Sequence, residues 1–515
     1  MIKRFSAIYI GSGKCEMVVG QRGKGNIKIL DRAMYPIDFG RQSFAKGNIS
    51  FQSVYSLCRI INEYIEIATA SDVEEIEIVG TAALREASNR LYLLEQIRIY
   101  TGGYKVHLLE KEEEIELIFR YMMLKCDDLW TEETMTQDMM LTTISSGNVA
   151  SALMSGGLID YQETVEIGYL KIKEVLKTIE EEAFDFESLL SDFIAINFSI
   201  ITENVKKRKI KQLIVTSHDV TVISKLCGFL KEEVYYKISR QEFVELYKSV
   251  EGMSANQLLK KYPELGQYEA ETIRHTLVMY LKLLNDTAIE DIVLVQLSIC
   301  DALMEFKFNL TKNQRLLEWI EQSSLSSAKM IGEKYHVDTK HTDNVEKLAL
   351  KLFDALKKRY QLNRQERLFL QIAAQLLDVG RFIGGYNNKP KNKVVIDQSD
   401  IIGLKAKDKR IIGSIADSVR TIPFDENLLD QNLDAEELLM ISKLTAILKL
   451  ATALDKSHHQ RIGKLQCHLN EKEFVVNAVS TKNTQLEEYF FKLGGLAMKK
   501  VYGIQPVLKI KREKI

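Results

Sequence analysis

Residues 9–14 read "YIGSGK", a glycine turn that ends in a lysine. Such a turn can bring backbone N–H groups to a phosphate, because a residue without Cβ lets the main chain meet an anion. A Walker A loop, however, needs a glycine five residues before the Gly-Lys pair and a hydroxyl directly after it. Ile8 and Cys15 occupy those places, and the turn leads into a strand rather than a helix. It is therefore a hairpin that offers an anion Gly11, Ser12 and Lys14.

Four further groups have types that suit chemistry. In "EKEEEIELIF", Ile115, Ile118, Phe119 and Met122 make a helical stripe, and Glu114 borders it at the helix start. A carboxylate there is either partly desolvated and poised as a base, or one of five glutamates on a solvated first turn that the helix dipole favours. Arg85, in "ALREASN", lies at a helix start, a setting that suits an anion. The runs "KKRKIK" (Lys206, Lys207, Arg208) and "NNKPKNK" (Lys389, Lys391) are a candidate polyanion patch that reads singly as solvated lysines. His458 and His459 follow a helix end with no second pair at ligand spacing, which reads as surface rather than metal.

The elements that must position these groups follow from pattern. Residues 1–127 alternate strands and helices, and from about 128 the opening recurs. "MMLTTISSGNVASALMSGGLIDYQETVEIG" is again strand, small-residue turn, strand, turn, strand. A duplicated strand-turn-strand unit would set both turns at one cleft. Beyond about 305 the chain is nearly all helix, with apolar residues every three or four positions. From about 463 it returns to α+β and finishes on the basic stretch "PVLKIKREKI".

At 515 residues the chain exceeds a single core, and three or four domains are expected. With 46% apolar and 27% charged residues and a formal net charge of −1, whole-molecule charge predicts attraction to neither nucleic acid nor a membrane surface. The six scattered cysteines lack any CxxC pair, which fits reduced thiols in a cytoplasmic protein. No stretch approaches the roughly 18–20 apolar residues of a membrane span.

Several segments together resemble the Ppx/GppA family of exopolyphosphatases and guanosine pentaphosphate phosphatases: "GTAALREASN", "VHLLEKEEEIELIF", "VEIGYLKIKE", "HTDNVEKLALKLFDAL" and "LKLATALDKSHHQRI". The resemblance implies an α/β fold, with an actin-like (ribonuclease H-like) duplicated unit as lobes 1–127 and 128–305. An all-α HD-like domain over 306–462 and a small α+β domain over 463–515 follow. It also implies a homodimer, and polyphosphate or guanosine polyphosphate as ligands.

The residues behind the family's activity are largely replaced. The first-loop aspartate falls on Tyr9, while Gly11 and Ser12 persist; in the second loop Thr143 replaces the aspartate, Ser145 and Ser146 replace glycines, Ala150 replaces the glutamate and Gly147 remains. The later glycine turns carry Val215, Ser217 and His218, and then Ser298, Cys300 and Ala302. Arg85 matches the family's phosphate-contacting arginine and Glu114 its water-activating carboxylate. In the HD-like part His341 and Asp378 match ligand positions, but Leu377 stands for the paired histidine and Thr452 for a common aspartate.

A lost general base costs on the order of 10²–10⁴ in rate. The implied reading is a degenerate cleft that binds phosphate weakly or without hydrolysis, or a regulatory partner, with no confident cofactor. The alternatives are a divergent Mg²⁺-dependent exopolyphosphatase working through Glu114 and Arg85, and a structural interaction protein whose cleft is closed.

Overall fold

The computed structural model describes residues 3–23, 26–180, 182–217, 220–229, 233–285, 287–296, 298–384, 391–420 and 433–512. They form two compact units, Met1–Ile320 and Glu321–Ile515. The first is α/β with two mixed sheets, and the second packs helices and a small sheet around one core.

In the first unit, β1 (Arg4–Ile10), β2 (Lys14–Arg22) and β3 (Ile27–Pro36) form an antiparallel meander. The strands β4 (Glu75–Gly80) and β5 (Val106–Leu108) add in parallel on the other side of β1, giving the order β3-β2-β1-β4-β5. The second sheet has the same plan: β6 (Met139–Ile144), β7 (Val149–Ser155) and β8 (Leu158–Val165) are the meander, and β9 (Gln212–Ser217) pairs in parallel with β6. Then come β10 (Tyr235–Ser239) and β11 (Asp291–Gln296), in the order β8-β7-β6-β9-β11-β10.

Alternation along β1 explains how it is buried on both faces. Ile8 and Ile10 join Val54, Leu57 and Ile61 of the helix Phe51–Ala70. Phe5 and Ala7 face Cys300, Met304 and Phe308 of the helix Ile299–Phe308. Strands parallel to a neighbour and covered on both sides read as near-continuous apolar runs, as "AIYI" and "MMLTTI" do. Both hairpin turns leave from the carboxyl ends of strands with parallel neighbours, the usual position for a site in an open α/β sheet.

In the second unit the helix Ala435–Ala453 is apolar nearly all round and lies at the centre, with Leu444, Ile447 and Leu448 fully buried. Around it are the helices Thr339–Tyr360, Arg364–Gln375, Ala406–Ser418 and Gln485–Tyr502. The strands β12 (Leu465–Leu469), β13 (Glu473–Ser480) and β14 (Gln505–Arg512) form a sheet in that order. Their Phe474, Val476 and Ala478 belong to the same core as the helices. The stretch read as a basic end is thus a strand, parallel to β13 from Glu473↔Gln505 to Ser480↔Arg512. Among the described residues no helix is long and apolar enough to cross a membrane.

Candidate functional site

The first hairpin turn and the loop between β6 and β7 meet in the first unit, around a cavity of about 80 Å³. Its wall includes Tyr9, Ser12, Lys14, Glu114, Thr143 and Ser146. The two loops are joined there: the Ser12 and Ser146 hydroxyls lie 2.6 Å apart in a buried hydrogen bond. Gly13 lies under the ring of Tyr268, and a Cβ at Gly13 would sit 3.1 Å from it. Tyr268 in turn shares a 3.3 Å hydroxyl contact with Tyr169.

Each loop also satisfies itself. Gly11 N–H donates to the Lys14 carbonyl, closing the hairpin. In the second loop the Ser145 hydroxyl accepts from the N–H groups of Gly147 and Asn148, at 3.3 and 3.0 Å. These are backbone donors of the kind a phosphate would need, and here a side chain of the same loop occupies them. The loop carbonyls of Ser145 and Ser146 accept from Tyr169 and Lys171 at the start of the helix Tyr169–Glu180. That close approach requires Gly168, where a Cβ would lie 2.2 Å from the Ser145 oxygen. Gly147 itself packs against Phe44 and Ala82 and is not part of the cavity wall.

Lys14 is engaged. Its Nζ lies 2.7 Å from Oε2 of Glu16, a residue 3% exposed, whose Oε1 also takes the Arg32 guanidinium at 2.6 Å. Burial pushes the Glu16 carboxyl upward, but Lys14 and Arg32 outweigh it and hold the group below the usual glutamate range. Tyr9 fills the place beside the turn: its hydroxyl lies 3.4 Å from Thr81 Oγ1, and its ring covers Gly11 so closely that a Cβ there would meet the hydroxyl at 2.6 Å. Burial, reinforced by Glu114 nearby, pushes the phenol well above its ordinary value and keeps it neutral.

Glu114 and Arg85 come together. Glu110 and Glu113 form the capping box of the helix Lys111–Lys125, and Glu114, one residue later, turns inward and is 8% exposed. Its Oε2 lies 3.3 Å from Arg85, which also donates to the Leu109 carbonyl at 2.5 Å. Burial raises the Glu114 carboxyl above the ordinary range despite the arginine. Of the two readings of this glutamate, the desolvated one describes its surroundings.

Three comparisons with known proteins bear on this arrangement. A model of the Ppx/GppA phosphatase family matches residues 18–127, and a model of Ppx/GppA phosphatase domain III matches residues 325–489. A guanosine-5'-triphosphate,3'-diphosphate pyrophosphatase of Photobacterium profundum is 19% identical over 458 residues, 86% of each chain. The chain belongs to the Ppx/GppA family. A solved exopolyphosphatase from Cytophaga hutchinsonii shares its fold, with a TM-score of 0.52 and 15% identity over 60% of this chain and 98% of that one. A Ppx/GppA family member from Aquifex aeolicus gives 0.48 and 14%, over 60% and 98%.

An active Ppx/GppA cleft was expected to use Mg²⁺, which takes hard oxygen ligands, commonly from one or two carboxylates. The carboxylate in this cavity wall is Glu114, already engaged by Arg85, and the other side-chain oxygens are hydroxyls. These residues do not fit a divalent cation. Among the described residues no group of three or more His, Cys, Asp or Glu is placed to hold one.

The remaining candidates are not in this cavity wall. Arg208, expected in an exposed polyanion patch, instead donates to both carboxylate oxygens of Asp160, at 2.7 and 3.0 Å. Burial of that aspartate draws the guanidinium in, while Lys206, Lys207, Lys209 and Lys211 of the run stay exposed. Lys391 is exposed, and Lys389 and His218 lie outside the described residues. In the second unit His341 Nδ1 lies 2.9 Å from the fully buried Asp455, and Asp378 is held by Arg381 and Arg420. Leu377 is buried and Thr452 bonds its own helix. His458 stacks on His341 with centroids 3.6 Å apart and bonds Asp338, so it is a structural partner rather than a free surface residue.

Sequence reasoning missed Glu16, Tyr268 and Phe44. Glu16 had a signal, a carboxylate amid the apolar run of β2 that burial obliges to find a cation. Tyr268 and Phe44 had none, since they reach the loops from helices remote in sequence.

Proposed function

We propose that this Ppx/GppA-family protein does not hydrolyse phosphoanhydrides, and that its phosphate cleft is closed by its own side chains. The observation that carries this is the Ser12–Ser146 hydrogen bond across the two loops. A cavity of about 80 Å³ is well below the roughly 300–1,000 Å³ of small-molecule pockets. A phosphate entering would have to separate the serines and draw Lys14 from Glu16, so polyphosphate or guanosine polyphosphate binds there weakly at most. The protein then works as a regulatory or interaction partner.

The finer architecture belongs to the same reading: an actin-like pair of lobes over 1–127 and 128–305, an HD-like domain over 306–462 and a small α+β domain over 463–515. The shared strand order of the two sheets supports the duplication. We carry the cytoplasmic homodimer with it, to be checked by sedimentation equilibrium of the purified chain.

The test uses the full chain with polyphosphate and pppGpp over a range of Mg²⁺ and Mn²⁺, reading phosphate release and ligand-dependent melting. The expected result is no release above that of Glu114→Gln. Metal-dependent release that this substitution abolishes overturns the proposal. It would establish the second reading, a divergent exopolyphosphatase, which the buried Glu114 beside Arg85 favours.

A further inference from the structure

The helix Phe186–Lys206 of the first unit supplies nothing to the wall of the phosphate cavity, and it carries two apolar stripes. One of them, Leu190, Ile194, Phe198, Ile201 and Val205, is buried in the core, where the helix packs on the helix Gln267–Asn285. The other is Leu189, Phe193, Ile196 and Ile200. Leu189 and Phe193 are half-buried along the edge of that core, whereas Ile196 and Ile200 are 74% and 43% exposed. A helix that lies on one side of a globular unit ordinarily has polar residues in such places. The second stripe is spaced by four, three and four residues, the spacing of a heptad seam that meets a partner helix knobs into holes.

Charge is sorted along the same helix. Glu182 and Asp185 are exposed at its start, where Asp185 accepts from the Ser188 N–H as the N-cap, and Asp192 is exposed two turns further on. At its end Lys206, Lys207, Lys209 and Lys211 are exposed, with Glu203 the acid among them. Each end thus has the sign that the helix dipole favours. A polyanion would match the lysines and leave the isoleucines in water. A second copy of the helix running the opposite way matches both. Phe193 then meets Ile196 of the other copy, Leu189 meets its Ile200, and Glu182 faces its Lys207, each pair occurring twice by symmetry. A parallel pair would set lysine run against lysine run and Asp192 against Asp192, so charge selects the antiparallel one.

We propose that the helix Phe186–Lys206 is the surface through which two copies of this chain pair, antiparallel about a twofold axis midway between Phe193 and Ile196. This names the surface of the homodimer inferred above and rests on that reading, though not on whether the phosphate cleft is closed.

Sedimentation equilibrium of the full chain tests it. The chain is expected to dimerise, and Ile196→Asp to raise the dissociation constant at least tenfold. Helical circular dichroism should not change, because that side chain is mostly exposed in the single chain. Lys207→Glu should weaken the dimer several-fold at low salt and less at high salt, as exposed charges are screened. Adding Glu182→Lys to it should restore the affinity, since the exchange rebuilds both contacts with reversed polarity; neither position is in the core, so this arm holds even should Ile196→Asp unfold. A dimer indifferent to Ile196→Asp and to the charge reversal overturns the surface and leaves the homodimer standing. Failure of Glu182→Lys to restore what Lys207→Glu loses overturns the antiparallel arrangement. A chain that stays monomeric at submillimolar concentration overturns the surface and the homodimer together, whereas phosphate release from the first unit would overturn only the closed-cleft reading.

Discussion

Glu16 and Glu114 are two buried glutamates within one hairpin's reach, and their surroundings push them in opposite directions. Glu16 has two cations and its carboxyl is held low, so its contribution to stability is complete above the ordinary glutamate value of about 4.3 and is lost as pH falls through the depressed folded value. Glu114 has one cation and burial wins, so its contribution is complete below about 4.3 and is lost as pH rises through the elevated folded value. Carboxyl-carbon NMR should show Glu114 titrating above, and Glu16 below, a reference glutamate; the reverse order would refute both assignments. Glu16→Gln leaves Lys14 and Arg32 facing a neutral amide, and removing one partner from a buried ionic cluster costs about 3 kcal/mol. Urea unfolding measures it, and a loss below about 0.5 kcal/mol would mean the cluster is effectively solvated.

The hairpins show which part of the element scale was legible. Short apolar runs on either side of a small-residue turn announce β1, β2, β6 and β7, because burial on both sheet faces imposes that pattern directly on sequence. β10 has five residues among helices and too short a period to register. β14 hides its strand character behind Lys509, Lys511 and Arg512, charges that an edge strand commonly carries. In the site, Tyr9, Ser12, Lys14, Arg85 and Glu114 could be picked out one by one, but the pairing of Arg85 with Glu114 could not, because helix packing makes it. Lys14 and Glu16 stand two apart on β2 and so share a face, a pairing that the strand period itself provides. A test at this scale is the double-mutant cycle of Ser12→Ala and Ser146→Ala. Each should cost about 1 kcal/mol and the pair together little more than one alone, as for groups whose effect is a shared hydrogen bond. Full additivity in thermal unfolding would show the bond is not made. Gly168→Ala should cost about 2–3 kcal/mol, because its Cβ would displace loop backbone rather than a flexible side chain.

At the scale of the whole molecule the chain forms two compact units. Residues 463–515 are continuous with the helical core: Tyr502 donates to the Lys443 carbonyl, and Phe491 and Met498 lie among the buried residues of that core. A fragment of residues 321–515 should therefore fold alone and melt in one cooperative transition. Ending it at residue 504 removes β14 and leaves one side of β13 unpaired, so this shorter fragment should melt at lower temperature or fail to fold. Equal melting of the two fragments would show that the third strand contributes nothing.

The Ser12–Ser146 bond has a consequence for ligand affinity as a matter of populations. A net 1 kcal/mol toward the joined state leaves about one molecule in six with the loops parted, and this raises an apparent dissociation constant only about sixfold. So modest a bias can be reversed by a partner that grips the parted loops slightly better than the joined ones. Stronger occlusion would have to come from what the loops hold down with them, namely Lys14 on Glu16 and Tyr268 over Gly13.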